Sequence, residues 1–379
     1  MGTVTVIYGN DVHNMVRRLI LATGALDSLR PDTGVLIKPN LVVSRPDWAG
    51  VNTDPRVVEA LVIAIKDTGV RRITIGDGSG MGYSASKAFQ VCGYSDLTKR
   101  YGLRLVDLER DRFVEKKVSI NGPFNTLEIA QTVLECDVLI NVPVMKAHSE
   151  VLITCSLKNL KGVMPRKMKT AFHRVDLHRA IAQLASLISP DLILVDGLQG
   201  DLSSETGHNP VLMETMLLGR NPVEVDSVVA DILGYAPRTI RHIAYSADAG
   251  LGTCDLERIS IRRLNRPSRD ERFAPPPHYT RRFPCRISAD GACCTCLGNL
   301  LFALERLQEK GLLSKRQHFL VGQKARTPGG KGEMAVAVGQ CAAKQVHAEV
   351  SLDKCPPTAN AIYCRVASAI RGDSRLKGN

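Results

Sequence analysis

The sequence predicts an α/β fold, in which a mostly parallel sheet has helices on both faces, followed by a small C-terminal α+β metal-binding module. Short apolar runs at residues 35–37, 72–75, 138–141 and 192–195 alternate with helical patterns. Apart from Arg72, Thr74 and Asn141 these runs are apolar, which is typical of strands that are buried on both faces. Seven of the eleven cysteines lie after residue 284, which separates the C-terminal module from the rest of the chain.

Helix signals separate the predicted strands. Residues 11–29 place apolar side chains at helical spacing. Asp54-Pro55 is typical of a helix start, because aspartate caps the free N–H groups and proline fits the first helical position. That helix is predicted to end at Gly69, and Asn221-Pro222 starts another helix in the same way. Helices between consecutive strands cover both faces of a parallel sheet.

Composition divides the chain into three predicted segments. Residues 1–257 carry the alternating pattern and are predicted to be an α/β domain with an anion-binding site at its strand ends. Residues 258–284 are rich in arginine and proline, which is typical of a linker. Residues 285–379 hold most of the cysteines and are predicted to be a cysteine-rich iron–sulfur module.

The charge balance indicates the kind of partner. The 379 residues include 50 Lys and Arg against 38 Asp and Glu, and the formal net charge of +12 favours an anionic partner. Aromatic residues make up only 4%, which disfavours the stacking platforms that bind single-stranded nucleic acid. No apolar run approaches the roughly 18 residues of a membrane span, and the N-terminus lacks a cleavable apolar signal. We therefore expect a cytoplasmic protein that binds a small anionic substrate, without a membrane partner and with nucleic acid disfavoured.

Polar residues follow four of the predicted strands. In open parallel sheets, ligands bind beyond the carboxyl ends of the strands. The residues at these ends are Lys38, Asn40, Gly76-Asp77-Gly78-Ser79, Asn141, Lys146, His148 and Asp196. If the strands are neighbours, these side chains converge on one edge of the sheet.

A cationic segment at residues 141–178 follows the third of these strands, and only Glu150 and Asp176 interrupt its positive charge. Lysines there would neutralise an anion, asparagines would orient it, and an imidazole would move protons because it titrates near neutral pH. The alternative is an ordinary solvated surface. The predicted catalytic residues are Lys146, His148, His173 and Asp196. The predicted substrate-binding residues are Lys38, Asn40, Asn141, Lys158, Asn159 and Lys161.

The C-terminal cysteines lie at the ends of predicted elements, where thiolates can share one metal centre. The spacing favours one 4Fe–4S cluster, with zinc as the main alternative cofactor and unligated thiols as a third reading. The predicted ligands are Cys293, Cys296, Cys341 and Cys355. Cys285, Cys294 and Cys364 are reserve ligands.

The strand-end residues resemble the family catalogued as domain of unknown function 362. The matching pieces are Lys38-Pro39-Asn40, Asn52-Thr53 with Pro55, Asn141-x-Pro143-x-x-Lys146-x-His148, Leu157-Lys158-Asn159 with Gly162, His173, Asp196-Gly197 and Asp226. One departure is that Gly200-Asp201-Leu202 stands where the family usually has a Gly-Pro-rich stretch. Many relatives carry an iron–sulfur module, so the resemblance implies such a module for the C-terminal cysteines.

These observations favour an iron–sulfur redox enzyme, either an oxidoreductase or a cluster-assisted lyase, that acts on a small anionic substrate with an electron-donating protein as a further partner. One alternative is a non-catalytic 4Fe–4S electron carrier or redox sensor. A second alternative is a nucleic-acid-associated protein, because the positive net charge and the arginine-rich segment would suit binding to phosphates.

Overall fold

The computed structural model divides the chain into two compact units, Met1–Pro275 and Pro276–Asn379. No helix among the described residues has both the length and the apolar character that crossing a membrane requires. The structure describes residues 2–45, 49–80, 83–148, 151–202, 205, 210–268, 272–274, 282–292, 294–326 and 332–372.

The first unit contains strands and helices in alternation. Its strands are β1 (Thr3–Tyr8), β2 (Gly34–Pro39), β3 (Arg72–Asp77), β4 (Arg104–Asp107), β5 (Phe113–Lys117), β6 (Thr126–Ala130), β7 (Val138–Val142), β8 (Lys146–His148), β9 (Leu152–Thr154), β10 (Leu192–Asp201), β11 (Pro210–Gly219) and β12 (Ser260–Arg263). Its helices are α1 (Val12–Thr23), α2 (Pro55–Asp67), α3 (Ala85–Val91), α4 (Tyr94–Tyr101), α5 (Gln131–Glu135), α6 (Ser156–Asn159), α7 (Arg166–Phe172), α8 (Leu177–Ala185), α9 (Pro222–Ile232) and α10 (Arg241–Asp248).

Within the described residues, eight strands form one sheet in the order β12-β1-β11-β10-β7-β2-β3-β4. Strands β10, β7, β2, β3 and β4 are all parallel neighbours. Strand β11 pairs antiparallel with β10 and β1 and is the exception. The prediction of a mostly parallel sheet is confirmed, and the ends of β2, β3, β7 and β10 lie along the same edge.

Alternate side chains of the central strands enter two separate cores. Ile37 and Ile140 pack into the core that also contains α1 and α2. Leu36 and Leu139 pack into the core with α8 and α9 on the opposite face. Both faces are therefore covered, which explains why these strands are continuously apolar in sequence.

The predicted helix starts are confirmed by their capping contacts. The Asp54 carboxylate accepts a hydrogen bond from the Arg56 N–H, and Pro55 is the first residue of α2. Asn221 caps α9 in the same way by accepting from the N–H groups of Val223 and Glu224. These caps fix where each helix leaves the sheet edge.

The predicted linker at residues 258–284 begins later than the sequence indicated. Residues Ser260–Arg263 are the edge strand β12, which pairs in parallel with β1. The Asn265 side chain then binds both the N–H and the carbonyl of Tyr8, at 2.9 and 2.7 Å. The sequence does not show the alternation of apolar and polar residues that identifies a strand here, because an edge strand exposes its arginine side chains. Exposed arginines are also typical of a linker.

The second unit contains a four-stranded sheet among its described residues. Its strands are β13 (Arg286–Ser288), β14 (Gln317–Val321), β15 (Met334–Val338) and β16 (Val350–Leu352). Its helices are α11 (Cys294–Glu309), α12 (Gln340–Ala343) and α13 (Ala359–Arg371). All three strand pairings are parallel, which is an α/β arrangement, so the predicted α+β class is corrected for this unit.

We expect the edge strand β12 to be a stable part of the fold. The N–H groups of Ser260 and Leu264 donate to the carbonyls of Gly2 and Val6. Their exchange with solvent should be slowed by roughly a hundredfold or more relative to an open chain, because each requires local unfolding of the sheet edge. Hydrogen–deuterium exchange measures this, with the exposed Asn121 N–H as the fast control. Unprotected exchange at both residues would support the linker assignment instead.

Candidate functional site

A buried salt bridge joins the carboxyl ends of two neighbouring strands. The Lys38 Nζ atom at the end of β2 lies 2.6 Å from the Asp77 Oδ1 atom at the end of β3. Both side chains are almost fully buried, and the second Asp77 oxygen accepts a hydrogen bond from the Leu41 N–H at 2.7 Å. Burial lowers the pKa of Lys38 and raises the pKa of Asp77, while each opposes the shift of its partner. The pair has no net charge whichever group holds the proton.

Gly162 packs directly against this pair. A Cβ atom at Gly162 would overlap Asp77 Oδ1 and would lie 2.6 Å from Lys38 Nζ. Only glycine lets this backbone approach the pair so closely. The short 3₁₀ turn Leu160–Val163 is thereby held over the ends of β2 and β3.

Three asparagines form a hydrogen-bonded chain beside the salt bridge. Asn40 Nδ2 donates to Asn159 Oδ1 at 2.9 Å, and Lys38 Nζ donates to the same oxygen at 3.2 Å. Asn159 Nδ2 donates to Asn141 Oδ1 at 2.7 Å. Asn141 Nδ2 donates to the Ser156 carbonyl at 3.1 Å. Lys38, Asn40, Asn141 and Asn159 were each predicted from the sequence, and they lie together as the convergence argument requires.

Asp226 on α9 holds the start of the segment that carries Lys158 and Asn159. Its two carboxylate oxygens accept from the Ser156 and Leu157 N–H groups, at 2.7 and 3.0 Å. No side chain of α6 caps these groups, so Asp226 replaces the missing cap from another helix. Burial raises the pKa of Asp226 to about 7, although these N–H donors oppose the shift.

Asp196 on β10 holds the start of α2 in the same way. Its Oδ2 atom accepts from the Asp54 N–H at 2.8 Å, and its Oδ1 atom accepts from the Leu198 N–H at 3.1 Å. Burial raises the pKa of Asp196 to about 7. A cavity of about 340 Å³ borders it, with Asn52 and Arg56 among the lining residues.

Lys146 is fully buried on β8, and its amine donates to the Val51 carbonyl. Burial lowers the pKa of Lys146 to about 7, and the nearby positive charge of Lys158 acts in the same direction. Asp201 and Glu205 oppose this shift. At neutral pH the amine is therefore close to the midpoint of its titration.

The two predicted catalytic histidines lie in the same cationic environment. His148 is buried, its Nδ1 atom accepts from the Val151 N–H at 3.2 Å, and its Nε2 atom lies 3.6 Å from Glu205 Oε1. Because Nδ1 accepts, the neutral ring carries its proton on Nε2. His173 Nε2 lies 3.2 Å from Lys161 Nζ.

Burial comes first among the causes that lower the pKa values of both His148 and His173 well below the ordinary histidine value. Lys158 and Lys161 add to the shift of each. The expectation that these rings titrate near neutral pH is therefore wrong. Both rings are therefore neutral at pH 7. Lys158, which is half-buried, lies in the same group of side chains. We call Lys146, His148, Lys158, Lys161 and His173 the cationic cluster below.

A second buried charge group was missed by sequence reasoning. Lys169 on α7 is 3% exposed, and its Nζ atom lies 2.9 Å from Glu109 Oε1 and 3.1 Å from the Ser79 carbonyl. Arg166 binds the other Glu109 oxygen at 2.8 Å. Asp77 and Glu109 supply the compensating negative charges, since Asp77 is the last residue of β3 and Glu109 follows β4.

The segments that carry Cys296, Cys341 and Cys355 meet near the carboxyl ends of β15 and β16. A Cβ atom at Gly339 would lie 3.1 Å from Cys296 Sγ, and Gly339 immediately precedes the segment with Cys341. The Gln340 N–H donates to the Lys354 carbonyl at 3.2 Å, which brings the Cys355 loop alongside. Among the described residues, no group of three or more His, Cys, Asp or Glu side chains is arranged to hold a metal ion. Cys293 lies outside the described residues, so the four-ligand set stays a prediction.

Several arginines of the segment predicted to be a linker make contacts within the fold. Arg262 donates to the Ala22 carbonyl at 2.8 Å, and Arg272 pairs with Asp231. Arg286, just after this segment, pairs with Glu333 at 2.9 Å. These contacts give Arg262, Arg272 and Arg286 structural roles, and the nucleic-acid alternative stays a prediction.

Comparisons with known proteins give one family and two individual similarities. The profile of the family described as "Domain of unknown function (DUF362)" matches residues 35–231. The thylakoid-associated protein sll1697 of Synechocystis sp. is 29% identical over 251 residues, which are 64% of this chain and 76% of that protein. The lactate racemase apoprotein from Thermoanaerobacterium thermosaccharolyticum is similar in structure with a TM-score of 0.39 and 14% identity, over 86% of this chain and 71% of that one. The structural similarity carries no argument about activity at this TM-score.

Gly162→Ala tests how tightly the backbone packs on the salt bridge. We expect a loss of about 3–5 kcal/mol in the free energy of unfolding, because the added methyl group would separate a buried charge pair. Gly102→Ala is the control, since Gly102 has a φ of +66° but nothing within 4 Å of an added Cβ. It should lose only about 1–2 kcal/mol from backbone strain. Equal losses in urea unfolding of the two variants would contradict the close packing.

Proposed function

This chain belongs to the DUF362 family, and we propose that it is an iron–sulfur protein whose first unit binds a small anionic substrate at the carboxyl ends of its parallel strands. The observation that carries the proposal is the cationic cluster. Lys158 and Lys161 lie close enough to His148 and His173 to lower the pKa values of both rings. Positive charges that are held this close repel one another, so an anion among them would relieve the repulsion.

The residues of the site divide into two roles. Lys158, Lys161 and Lys146 would contact the anion, since after burial all three add to lowering the pKa of His148 and therefore lie around the same ring. Lys38 is already neutralised by Asp77 at 2.6 Å and would support the site rather than contact the ligand. Asn141 and Asn159 would likewise hold the segments in place through their mutual hydrogen bond.

Proton transfer in this site would use the groups that titrate near neutral pH. Lys146 and Asp196 have pKa values of about 7, which suits general acid–base catalysis at physiological pH. His148 would act as a neutral hydrogen-bond donor through Nε2–H, and His173 would position Lys161. This assignment exchanges the roles that histidine and lysine usually take.

The second unit would hold one 4Fe–4S cluster through Cys293, Cys296, Cys341 and Cys355, with zinc as the alternative cofactor. The convergence of three segments supports this ligand set: the first turn of α11 with Cys296, the short helix α12 with Cys341 and the loop with Cys355. Thiolates at the ends of strands and at the start of a helix are suitable ligands for a cluster. When bound, the cluster would transfer electrons or serve as a Lewis acid, and an electron-donating protein would be a partner of an oxidoreductase.

A non-catalytic electron carrier or redox sensor is the alternative function. Cys341 and Cys355 are solvent-exposed, so a 4Fe–4S cluster that they hold would be accessible for electron exchange with a partner. This alternative predicts that redox behaviour depends on the cysteines alone and that substitutions in the cationic cluster leave it unchanged. A cytoplasmic location is part of the proposal, and the name of the Synechocystis relative offers thylakoid association as the competing one.

Lys146→Met should weaken anion binding and remove its pH dependence. Sulfate is the probe because its charge does not change between pH 6 and 8. In the natural protein its affinity should fall as pH rises through about 7, because Lys146 loses its positive charge there. The variant should lose about 1.5–3 kcal/mol of binding free energy at pH 6 and show a flatter pH profile by calorimetry.

Lys167→Met is the matched control for that experiment. Lys167 lies on the exposed face of α7 and pairs with Glu128 at 2.8 Å. Sulfate binding and its pH profile should stay unchanged in this variant. A control that loses as much affinity as Lys146→Met would show that sulfate responds to net charge rather than to the cationic cluster.

The cofactor is tested by anaerobic purification with iron, acid-labile sulfide and zinc analysis. We expect iron and sulfide in equal amounts, near four of each per chain for a 4Fe–4S cluster. Cys341→Ser and Cys355→Ser should lose the broad visible absorbance, since each would remove one ligand. Cys364→Ser, on the exposed face of α13, should keep it. Stoichiometric zinc without sulfide would contradict the cluster.

A further inference from the structure

The direction of the asparagine chain is fixed by backbone carbonyls. A carbonyl oxygen only accepts hydrogen bonds. Asn141 must therefore point its Nδ2 atom at the Ser156 carbonyl, which leaves its Oδ1 atom to accept from Asn159. Asn159 Nδ2 also donates to the Pro39 carbonyl at 3.3 Å, which fixes the second amide independently. The orientation of each amide follows from the one before it.

The chain ends at a buried oxygen atom. Asn159 Oδ1 accepts, so Asn40 must present its Nδ2 atom to it. Asn40 Oδ1 then points away from the chain, and none of the described residues donates a hydrogen bond to it. Asn40 is only 7% exposed. Buried acceptors in native proteins almost always have a donor, so this oxygen marks a position for one that the described residues do not supply.

Asn40 lies next to the segment that binds Lys146. The Asn40 N–H donates to Thr53 Oγ1 at 2.8 Å, and the Thr53 N–H donates back to the Asn40 carbonyl at 2.9 Å. Two residues earlier, the Val51 carbonyl accepts from the Lys146 amine. The Asn40 backbone and the Lys146 amine therefore both bind one short stretch, residues 51–53.

We propose that Asn40 Oδ1 accepts a hydrogen bond from a hydroxyl or ammonium group of the anionic ligand. The ligand class is then an anion that carries a hydrogen-bond donor close to its charged group, such as a hydroxylated carboxylate, an amino acid or a hydroxylated phosphate ester. This inference rests on the proposed anion site and adds a specificity determinant to it. A ligand without the donor would bury the Asn40 oxygen unpaired, which costs about tenfold or more in affinity.

Matched small anions test the inference on the full chain. Acetate and glycolate differ in the hydroxyl donor next to a carboxylate, and methyl phosphate and 2-hydroxyethyl phosphate form the corresponding phosphate pair. Glycine, which has no net charge at neutral pH, adds an ammonium donor next to the carboxylate. Calorimetry on the natural protein should show about tenfold tighter binding of the anions with a donor. Asn40→Leu should abolish that preference while keeping the affinity for acetate or methyl phosphate. The Asn159 Oδ1 atom keeps Lys38 as its donor in this variant, which favours correct folding.

The outcomes separate the inference from the anion site. Equal binding of the members of each pair by the natural protein overturns the inference, as does a preference that survives in Asn40→Leu, and both leave the anion site standing. Binding of none of the five probes overturns the anion site and the inference with it. Asn121→Leu, at an exposed loop position, controls for the loss of an asparagine and should keep the full preference. If Asn40→Leu does not fold, the comparison of matched anions on the natural protein decides alone.

Discussion

The buried salt bridge between Lys38 and Asp77 is the interaction on which the strand-end region depends. Its two side chains come from adjacent parallel strands, so they fix the ends of β2 and β3 relative to each other. The remaining Asp77 oxygen accepts a hydrogen bond from the Leu41 N–H and so orders the chain after β2. Gly162 brings the 3₁₀ turn Leu160–Val163 onto the pair. Removing either charge would leave the other buried and uncompensated, which is far more destabilising than the intact pair is stabilising.

Buried carboxylates and amides replace ordinary secondary-structure contacts around this pair. Asp226 and Asp196 each accept two backbone N–H groups, and three asparagines link the ends of β2 and β7 to α6. A polar network of this kind is stable only when nearly every member is paired. The Asn40 oxygen is an exception in an otherwise paired chain. Such exceptions are expected where a ligand completes the network.

The sequence predicted the strand ends well, because the buried strands are mostly apolar and polar residues follow where they end. It also placed Lys38, Asn40, Asn141 and Asn159 in one neighbourhood. It could not pair Lys38 with Asp77, since the two are 39 residues apart and their contact depends on strand order. Strand β12 was missed for a different reason, because an exposed edge strand needs no apolar pattern and its arginines resemble a linker.

The chemistry of the site was the least accessible to sequence reasoning, because a pKa depends on burial and on neighbouring charge rather than on residue type. Histidine was expected to titrate near neutral pH, yet burial and the positive charges of Lys158 and Lys161 lower the pKa of His148 well below its ordinary value. The same two effects, like charge and burial, bring Lys146 into the range that histidine normally occupies. Burial and like charge in the cationic cluster therefore make the Lys146 amine, rather than an imidazole, the group that titrates near neutral pH. An anion that binds there would reverse part of the shift, because its negative charge raises the pKa of Lys146 and couples ligand binding to proton uptake.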